Sequence, residues 1–211
     1  MKLMKTLVAS AAAATMLVSL AVTPAAATTP NQISDEDLNT VQGSSPYVEA
    51  ETEEEAMKKL DKIEQENPGG VSAQAGSARF GPCKLYPESF HTRDSGNHDY
   101  GGVKPVTVCT KKVTGIKMAS QLRYKNALMW VKTGIQVPQT AQAKDLKVGK
   151  YKYKDKKDWA VKFQQKNMNY LCKGKKKHNW SASTIGRLRY HGHTYWARVY
   201  ASPRSANCGP H

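Results

Sequence analysis

The four cysteines of this chain, Cys83, Cys109, Cys172 and Cys208, constrain its fold more than any other feature of the sequence. An even number of cysteines in an exported chain is typical of disulfides, so we expect two bridges. Pairing neighbours along the chain closes the shorter loops and favours Cys83–Cys109 and Cys172–Cys208, but four cysteines permit three connectivities and the other two stay open. No two cysteines have the spacing of structural zinc ligands, so a zinc site is not expected.

The beginning of the sequence has the order of regions found in a secretory signal peptide. Two lysines among the first five residues precede an uncharged stretch, residues 7–22, that is rich in alanine and leucine. Residues 25–27 are alanines and give the small-x-small pattern of signal peptidase sites, with cleavage expected before Thr28. A membrane anchor is the alternative, but a span needs about 20 predominantly apolar residues. We therefore predict a signal peptide at residues 1–27 and a secreted, extracellular protein.

Charge divides the rest of the chain into two unlike parts. Residues 28–75 contain eleven acidic and three basic side chains, whereas residues 76–211 contain 6 acidic and 27 basic ones. Such asymmetry is typical of a charged segment beside a domain that has an anionic partner. We predict an acidic, propeptide-like segment with a linker at residues 28–78 and a basic domain at residues 79–211.

The acidic segment has Tyr47 as its one aromatic residue and is rich in Ser, Thr, Pro and Glu. This composition buries too little apolar surface to offset the entropy of ordering, so we expect the segment to be largely disordered when free. The stretch Glu53–Glu66 is an exception, because its apolar residues recur at helical spacing and predict a helix. Two roles stay open for the segment: a solubilising tail, or a propeptide that neutralises the basic domain until a protease cuts near the linker.

Period-two alternation in the basic domain predicts β-strands with one buried face. Lysines alternate with Tyr151 and Tyr153, for example, and His191-Gly192-His193 is a predicted hairpin tip. We therefore predict a mainly β fold, a small antiparallel sandwich or open barrel with two disulfides, preceded by the signal peptide and the disordered acidic segment.

The cysteine frame also carries a resemblance of layout. It consists of Cys83-Lys84-Leu85-Tyr86-Pro87, Lys104-Pro105-Val106-Thr107-Val108-Cys109, Leu171-Cys172 and Asn207-Cys208. This frame resembles that of small secreted β proteins of actinobacteria, most of which lack an assigned activity. The order of signal, acidic segment and cationic domain is similar to that of the bacteriocin precursors of such bacteria. The resemblance implies a secreted cationic antimicrobial and brings no specific functional residues with it.

A run of lysines between residues 144 and 177 is the strongest functional feature, since thirteen lysines there face three acidic residues. Lysine acts on phosphate as a point charge, so this density favours non-specific attraction to a polyanion. Interleaved aromatic residues suit insertion into a lipid interface or stacking on sugars and bases. The predicted binding residues are Lys150, Lys152, Lys154, Lys156, Lys157, Tyr151, Tyr153, Trp159, Lys175, Lys176, Lys177 and Trp180.

From these features we predict a monomer, without cofactor or metal, that binds an anionic cell wall or membrane surface as a bacteriocin-like antimicrobial activated by proteolysis. Its own acidic segment is a further predicted partner of the basic surface. Two alternatives stay open: an extracellular nucleic-acid binder or ribonuclease, and an adhesion or structural protein of the producer's envelope.

Catalytic signatures are absent from the sequence, which has no Gly-x-Ser-x-Gly turn and no glycine-rich phosphate loop. A ribonuclease would need histidine, carboxylate and arginine side chains for acid–base chemistry on a phosphodiester. The candidates are Glu88 or His91 with His191 or His193 and Arg189. Their spacing does not show that they meet, and the ordinary interpretation is loop and turn histidines.

Overall fold

The computed structural model describes residues 43–66, 80–94, 98–134, 136–154 and 156–211, with only the backbone described at residues 156 and 157. The predicted signal peptide, its cleavage site and the predicted linker lie outside these residues. Within them the chain is mainly β, as predicted, with antiparallel strand pairs, one helix and both disulfides.

The elements follow each other as β1 (Ser45–Glu49), α1 (Glu53–Glu66), β2 (Phe80–Tyr86), β3 (His91–Thr92), β4 (Tyr100–Gly102), β5 (Val106–Cys109), β6 (Gly115–Asn126), β7 (Met129–Lys132), β8 (Val137–Gln142), β9 (Val148–Tyr153), β10 (Lys156–Gln164), β11 (Tyr170–Leu171), β12 (Lys177–Tyr190) and β13 (His193–Asn207). The larger sheet has the order β7-β6-β12-β13-β1-β2-β5-β10-β9, with β8 paired to β6. Strands β11, β4 and β3 form a small second sheet.

The hairpin of β12 and β13 is the longest pairing, and it turns at the predicted tip. Both tip residues, His191 and Gly192, have positive φ, at 49° and 82°. Two-residue hairpin turns of this kind match the twist of the flanking strands, and glycine adopts the second position without strain.

The acidic segment contributes a central strand to the larger sheet, because β1 lies between β13 and β2. Tyr47 of β1 is fully buried, and its hydroxyl lies 2.7 Å from Oγ1 of Thr107 on β5. The expectation of disorder is therefore wrong for β1, whereas the helix predicted at Glu53–Glu66 is confirmed. Composition averaged over the whole segment hid the short run Ser45–Val48, all of which is buried.

Helix α1 has the predicted bounds and packs on the sheet through its apolar face. Thr52 begins the helix, since its Oγ1 accepts a hydrogen bond from the Glu55 amide at 3.2 Å. Ala56, Leu60 and Ile63 are buried in a cluster with Val48 of β1 and with Trp196 of β13. On the same side, Arg198 of β13 forms ion pairs with Asp61 at 2.6 Å and Glu64 at 2.9 Å. Both apolar burial and charge therefore hold the acidic helix on β13.

The two largest of the four described apolar clusters lie in the interior of the sheet structure. The first lies around Tyr47, Met118 and Leu188 and includes the Cys83–Cys109 bridge. The second lies around Trp180, which stacks on Phe90 with ring centroids 4.6 Å apart. Strand β12 contributes to both clusters, through Leu188 and Trp180.

Side-chain amides join β8 to the segment that follows β10. Gln165 donates to the Val137 carbonyl at 2.8 Å, Gln139 accepts from the Lys166 amide at 2.6 Å, and Asn167 donates to the Pro138 carbonyl at 2.6 Å. The larger sheet therefore curls until β8 meets the residues that follow β10. The bonds described between these two segments involve side-chain amides and not a ladder of backbone hydrogen bonds. The described strands form no closed barrel.

Both disulfides have the favoured connectivity. Cys83 and Cys109 are opposite each other on the paired strands β2 and β5. Cys172, which follows β11, binds Cys208, which follows β13. The bridged cysteines are 26 and 36 residues apart in sequence. The loop-entropy relation gives a stabilisation of about 3 to 4 kcal/mol for each bridge. Two disulfides are typical of an oxidising compartment.

Candidate anion-binding surface

The first group of predicted lysines lies on β9 and directly after it, and β9 is an end strand of the larger sheet. Lys150, Lys152 and Lys154 are exposed, whereas Tyr151 and Tyr153 between them are half-buried. The two tyrosines pack against a small cluster on β5 and β10. The predicted alternation is therefore confirmed, and it leaves the lysine side chains in solvent. We call these three residues the β9 lysines.

The two predicted tryptophans lie in the core and not on the surface. Trp159 is 1% exposed and Trp180 is 0% exposed. Trp180 also donates its indole N–H to the Cys208 carbonyl at 2.9 Å. Their interpretation as exposed residues that insert or stack is therefore wrong. Period-two spacing predicts a strand but does not tell which face is buried when both faces carry large side chains.

Tyr153 is held in place by charged neighbours. Its hydroxyl donates to the Glu88 carboxylate, and the ammonium groups of Lys154 and Lys162 lie 5.5 Å and 4.9 Å from its ring centroid. Partial burial raises the pKa of Tyr153, and the bond to the anionic Glu88 raises it further. The ring of Tyr153 therefore already has cationic neighbours and is not a free stacking surface.

The second group of lysines lies in the loop between β11 and β12 and at the first residue of β12. It consists of Lys173, Lys175, Lys176 and Lys177, which are all exposed. We call them the loop lysines. The Cys172–Cys208 bridge fixes the start of this loop. The Lys173 amide donates to the Gly209 carbonyl at 2.8 Å, and the Gly209 amide donates to the Gly174 carbonyl at 3.2 Å. The charges are therefore displayed on a braced backbone.

Ion pairing leaves most of these charges available. Within the described ranges, Lys154 is the member of the two groups that forms an ion pair, at 3.7 Å from Glu88. The side chains of Lys156 and Lys157 lie outside the description. A dense lysine surface with few acidic partners of its own attracts an external anion. A lysine-rich edge strand also prevents pairing with other chains, so this role explains part of the β9 pattern.

A cleft of about 580 Å³ adjoins the loop lysines and was not anticipated from the sequence. Its charged and titratable lining residues are His91, His98, Lys175 and Arg204, and it is also lined by Phe90, Thr92, Ser205, Ala206 and Asn207. These residues come from β3, the segment before β4, the β11–β12 loop and the end of β13. They are far apart in sequence and share no motif, so only the topology reveals them. We call this site the His91 cleft.

The His91 cleft is near one end of β9. Tyr153 contacts Glu88, and three residues of chain from Glu88 to His91 span at most about 11 Å. The Glu88–His91 segment therefore connects the end of β9 to the His91 cleft, which Lys175 of the loop lysines also lines.

The histidines considered for a ribonuclease are not brought together. His191 and His193 lie at the tip of the β12–β13 hairpin, whereas the His91 cleft adjoins Ser205 near the other end of β13. Twelve residues of strand separate His193 from Ser205, which corresponds to about 40 Å. The Nδ1 atom of His193 instead lies 2.7 Å from the Glu49 carboxylate. The combination of His91 with His191 or His193 is therefore wrong for this fold.

Among the described residues, no group of three or more His, Cys, Asp or Glu side chains is placed to hold a metal ion. Among the helical residues described, none forms a segment long and apolar enough to cross a membrane.

Comparison of the chain with models of protein families, with curated proteins and with solved structures gave no match. Functional inference therefore depends on the chemistry of the surface.

Proposed function

We propose that this is a secreted cationic protein that binds anionic phosphodiester polymers of bacterial cell envelopes and acts as a bacteriocin-like antimicrobial. The observation that carries the proposal is the exposure of the β9 lysines and the loop lysines with a single described ion pair among them, that of Lys154. A polyanion that neutralises such a surface releases its own counterions, which favours binding at low salt.

Binding by charge alone fits the surface better than insertion into lipid. Trp159 and Trp180 are buried, and Tyr151 and Tyr153 are half-buried against the sheet. The proposed mechanism therefore does not include the anchoring of aromatic side chains in lipid. Lysines without exposed aromatic partners suit a polymer that is recognised by its phosphates, as in a teichoic acid.

The position of β1 also changes the proposed role of proteolysis. A cut near the linker leaves residues 45–66 attached through a central strand and a packed helix. Activation by proteolysis then consists of nicking without release of the acidic segment.

The test is binding of the full exported chain to a defined glycerol phosphate polymer at several salt concentrations. The variant K150Q/K152Q/K176Q removes three charges from the proposed surface, and K111Q/K112Q/K117Q removes three exposed lysines from elsewhere. We expect the first variant to lower affinity and to reduce the slope of log K against log salt by about one for each lysine. Equal losses in both variants would reduce the proposal to a general effect of net charge.

The antimicrobial part of the proposal has its own test. Growth inhibition of a panel of Gram-positive bacteria should be measured with the intact exported chain and with the chain nicked near the linker. Inhibition that is weakened in K150Q/K152Q/K176Q supports the proposal. Polymer binding without inhibition in either form would leave an adhesion or structural protein of the producer's envelope.

An extracellular ribonuclease is the second candidate, and the His91 cleft is the observation that favours it. His91 and His98 line this cleft together with Lys175 and Arg204, a set capable of acid–base chemistry beside a phosphate. Incubation of the chain with RNA tests the candidate. Cleavage that is lost in both H91A and H98A supports a ribonuclease, and intact RNA after prolonged incubation rejects it.

A further inference from the structure

The His91 cleft combines charge with hydrogen-bond donors in one concave site. Lys175 and Arg204 supply two permanent positive charges to its lining, and none of the described lining residues is an Asp or Glu. Thr92, Ser205 and Asn207 add polar side chains. Arginine matches the oxygens of a phosphate through paired N–H groups, while lysine acts as a point charge. The lining thus has the composition of a site for a tetrahedral oxyanion.

His91 gives an independent indication of a ligand. Its Nδ1 atom lies 3.3 Å from the Ser89 carbonyl oxygen, which only accepts hydrogen bonds, so Nδ1 carries the proton. The other nitrogen, Nε2, is buried and has no hydrogen-bond partner in the described structure. Buried polar atoms normally have a partner, and leaving one without a partner is costly. A ligand oxygen that reaches Nε2 when an exposed lining side chain moves aside would supply this partner.

His98 is oriented by polar contacts with two residues of the same segment. Its Nδ1 atom lies 3.2 Å from Oγ1 of Thr92 and 3.5 Å from the carboxylate of Asp94. Asp94 is almost fully exposed and is not a lining residue of the cleft. The carboxylate therefore lies beside His98 without placing a negative charge inside the cleft.

We propose that the His91 cleft binds a phosphate group, with Arg204 and Lys175 neutralising its charge and Nε2 of His91 donating to one of its oxygens in the protonated ring. The choice of a phosphate carried by an envelope polymer rests on the proposed function, whereas the site itself rests on the cleft alone. Phosphodiesters of glycerol phosphate polymers and of RNA share this chemistry, so both are compared in the test.

The experiment is titration of the full exported chain with inorganic phosphate, followed by ¹H–¹⁵N NMR of backbone and imidazole signals. We expect shifts at His91, His98 and Lys175 that saturate, and an affinity lowered about tenfold or more in R204Q, because a hydrogen bond to a charged group is lost. The matched control is R187Q, since Arg187 lies on β12 and is not a lining residue of the cleft. No saturable shift at the lining residues, or an equal effect of R204Q and R187Q, would overturn the proposal.

Two further arms separate this site from the proposed function. Short glycerol phosphate and RNA oligomers are titrated into the wild-type chain, H91A and K150Q/K152Q/K176Q, with the melting temperature of each variant as a check on folding. Phosphate binding in the cleft without polymer binding would reject the proposed function and keep the phosphate site. Polymer binding that is unaffected in folded H91A and R204Q would keep the proposed function and reject the site. A preference for one oligomer that depends on His91 identifies the source of the phosphate.

Discussion

The hydroxyl of Tyr47 lies 2.7 Å from Oγ1 of Thr107 and joins the acidic part of the chain to the basic part through the protein interior. Thr107 also donates to the sulfur of Met118 at 3.2 Å, so the contact extends to β6. Tyr47 is part of a strand with partners on both sides, β13 and β2. The two parts that differ most in charge are therefore parts of one sheet.

This relationship predicts that a cut in residues 67–79 does not separate the acidic segment from the basic domain. The segment buries β1 residues, the apolar face of α1 and the Arg198 ion pairs against the rest. The nicked chain should elute as one species in size-exclusion chromatography under native conditions and as two fragments in denaturant. Dissociation at neutral pH and physiological salt would contradict the prediction.

Alkaline pH should destabilise the fold through Tyr47. Burial raises the pKa of Tyr47 far above 10.0, although the bond to Thr107 opposes this shift. The folded state then keeps the proton while the unfolded state loses it above about pH 10. The stabilising contribution is complete below this pH and falls by about 1.4 kcal/mol per pH unit above it.

The variant Y47F isolates this effect. It should lower the free energy of unfolding by about 1 kcal/mol at pH 8, where a hydrogen bond is lost. Denaturant unfolding between pH 8 and pH 11 should show this difference shrinking above pH 10, since phenylalanine does not ionise. Parallel curves for the two proteins would show that Tyr47 does not control alkaline stability.

Gly186 should be intolerant of a side chain. A Cβ atom at this position of β12 would overlap the hydroxyl and ring of Tyr47. We expect G186A to lower the free energy of unfolding by about 1 to 3 kcal/mol, as overpacking does in a dense core. G43A is the matched control, because a Cβ there meets nothing within 4 Å. Equal melting temperatures for the two variants would contradict the predicted contact.

Loss of the Cys172–Cys208 bridge should affect both stability and phosphate binding. The double variant C172S/C208S removes a cross-link worth about 4 kcal/mol in the loop-entropy relation and frees the start of the lysine loop. We expect a lower melting temperature and weaker phosphate binding. C83S/C109S should lower stability by a similar amount without weakening phosphate binding in the folded protein, because this bridge lies in the other apolar cluster.

Local sequence patterns predicted the helix, the hairpin tip, the mainly β fold and the favoured disulfide pairing. Each of these depends on spacing along the chain, such as the helical recurrence of Ala56, Leu60 and Ile63. The prediction of disorder was wrong at β1 because the partners of this five-residue strand lie on strands that are distant in sequence. The same limit applies to Trp159 and Trp180, whose burial depends on which face of each strand meets the interior.

The candidate surface likewise has one part that local sequence predicts and one part that depends on the topology of the fold. Exposure of the β9 lysines follows from alternation on one strand and was predicted. The His91 cleft joins Lys175 and Arg204 to two histidines from a segment more than seventy residues earlier. Such a site depends on topology and on the Cys172–Cys208 bridge, neither of which has a local signature around His91.

The place of β1 in the sheet also determines when the chain can fold. β1 pairs with β13, and Val48 lies opposite Trp196, so one of the earliest described strands needs one of the last. Contacts this distant in sequence are slow to form, because a long loop must close before they contribute. If the chain is exported unfolded, β1 must wait on the far side of the membrane until β13 has crossed. The sheet is then completed only after translocation. Until that point the unpaired strand β1 is accessible to proteases and chaperones on the far side of the membrane.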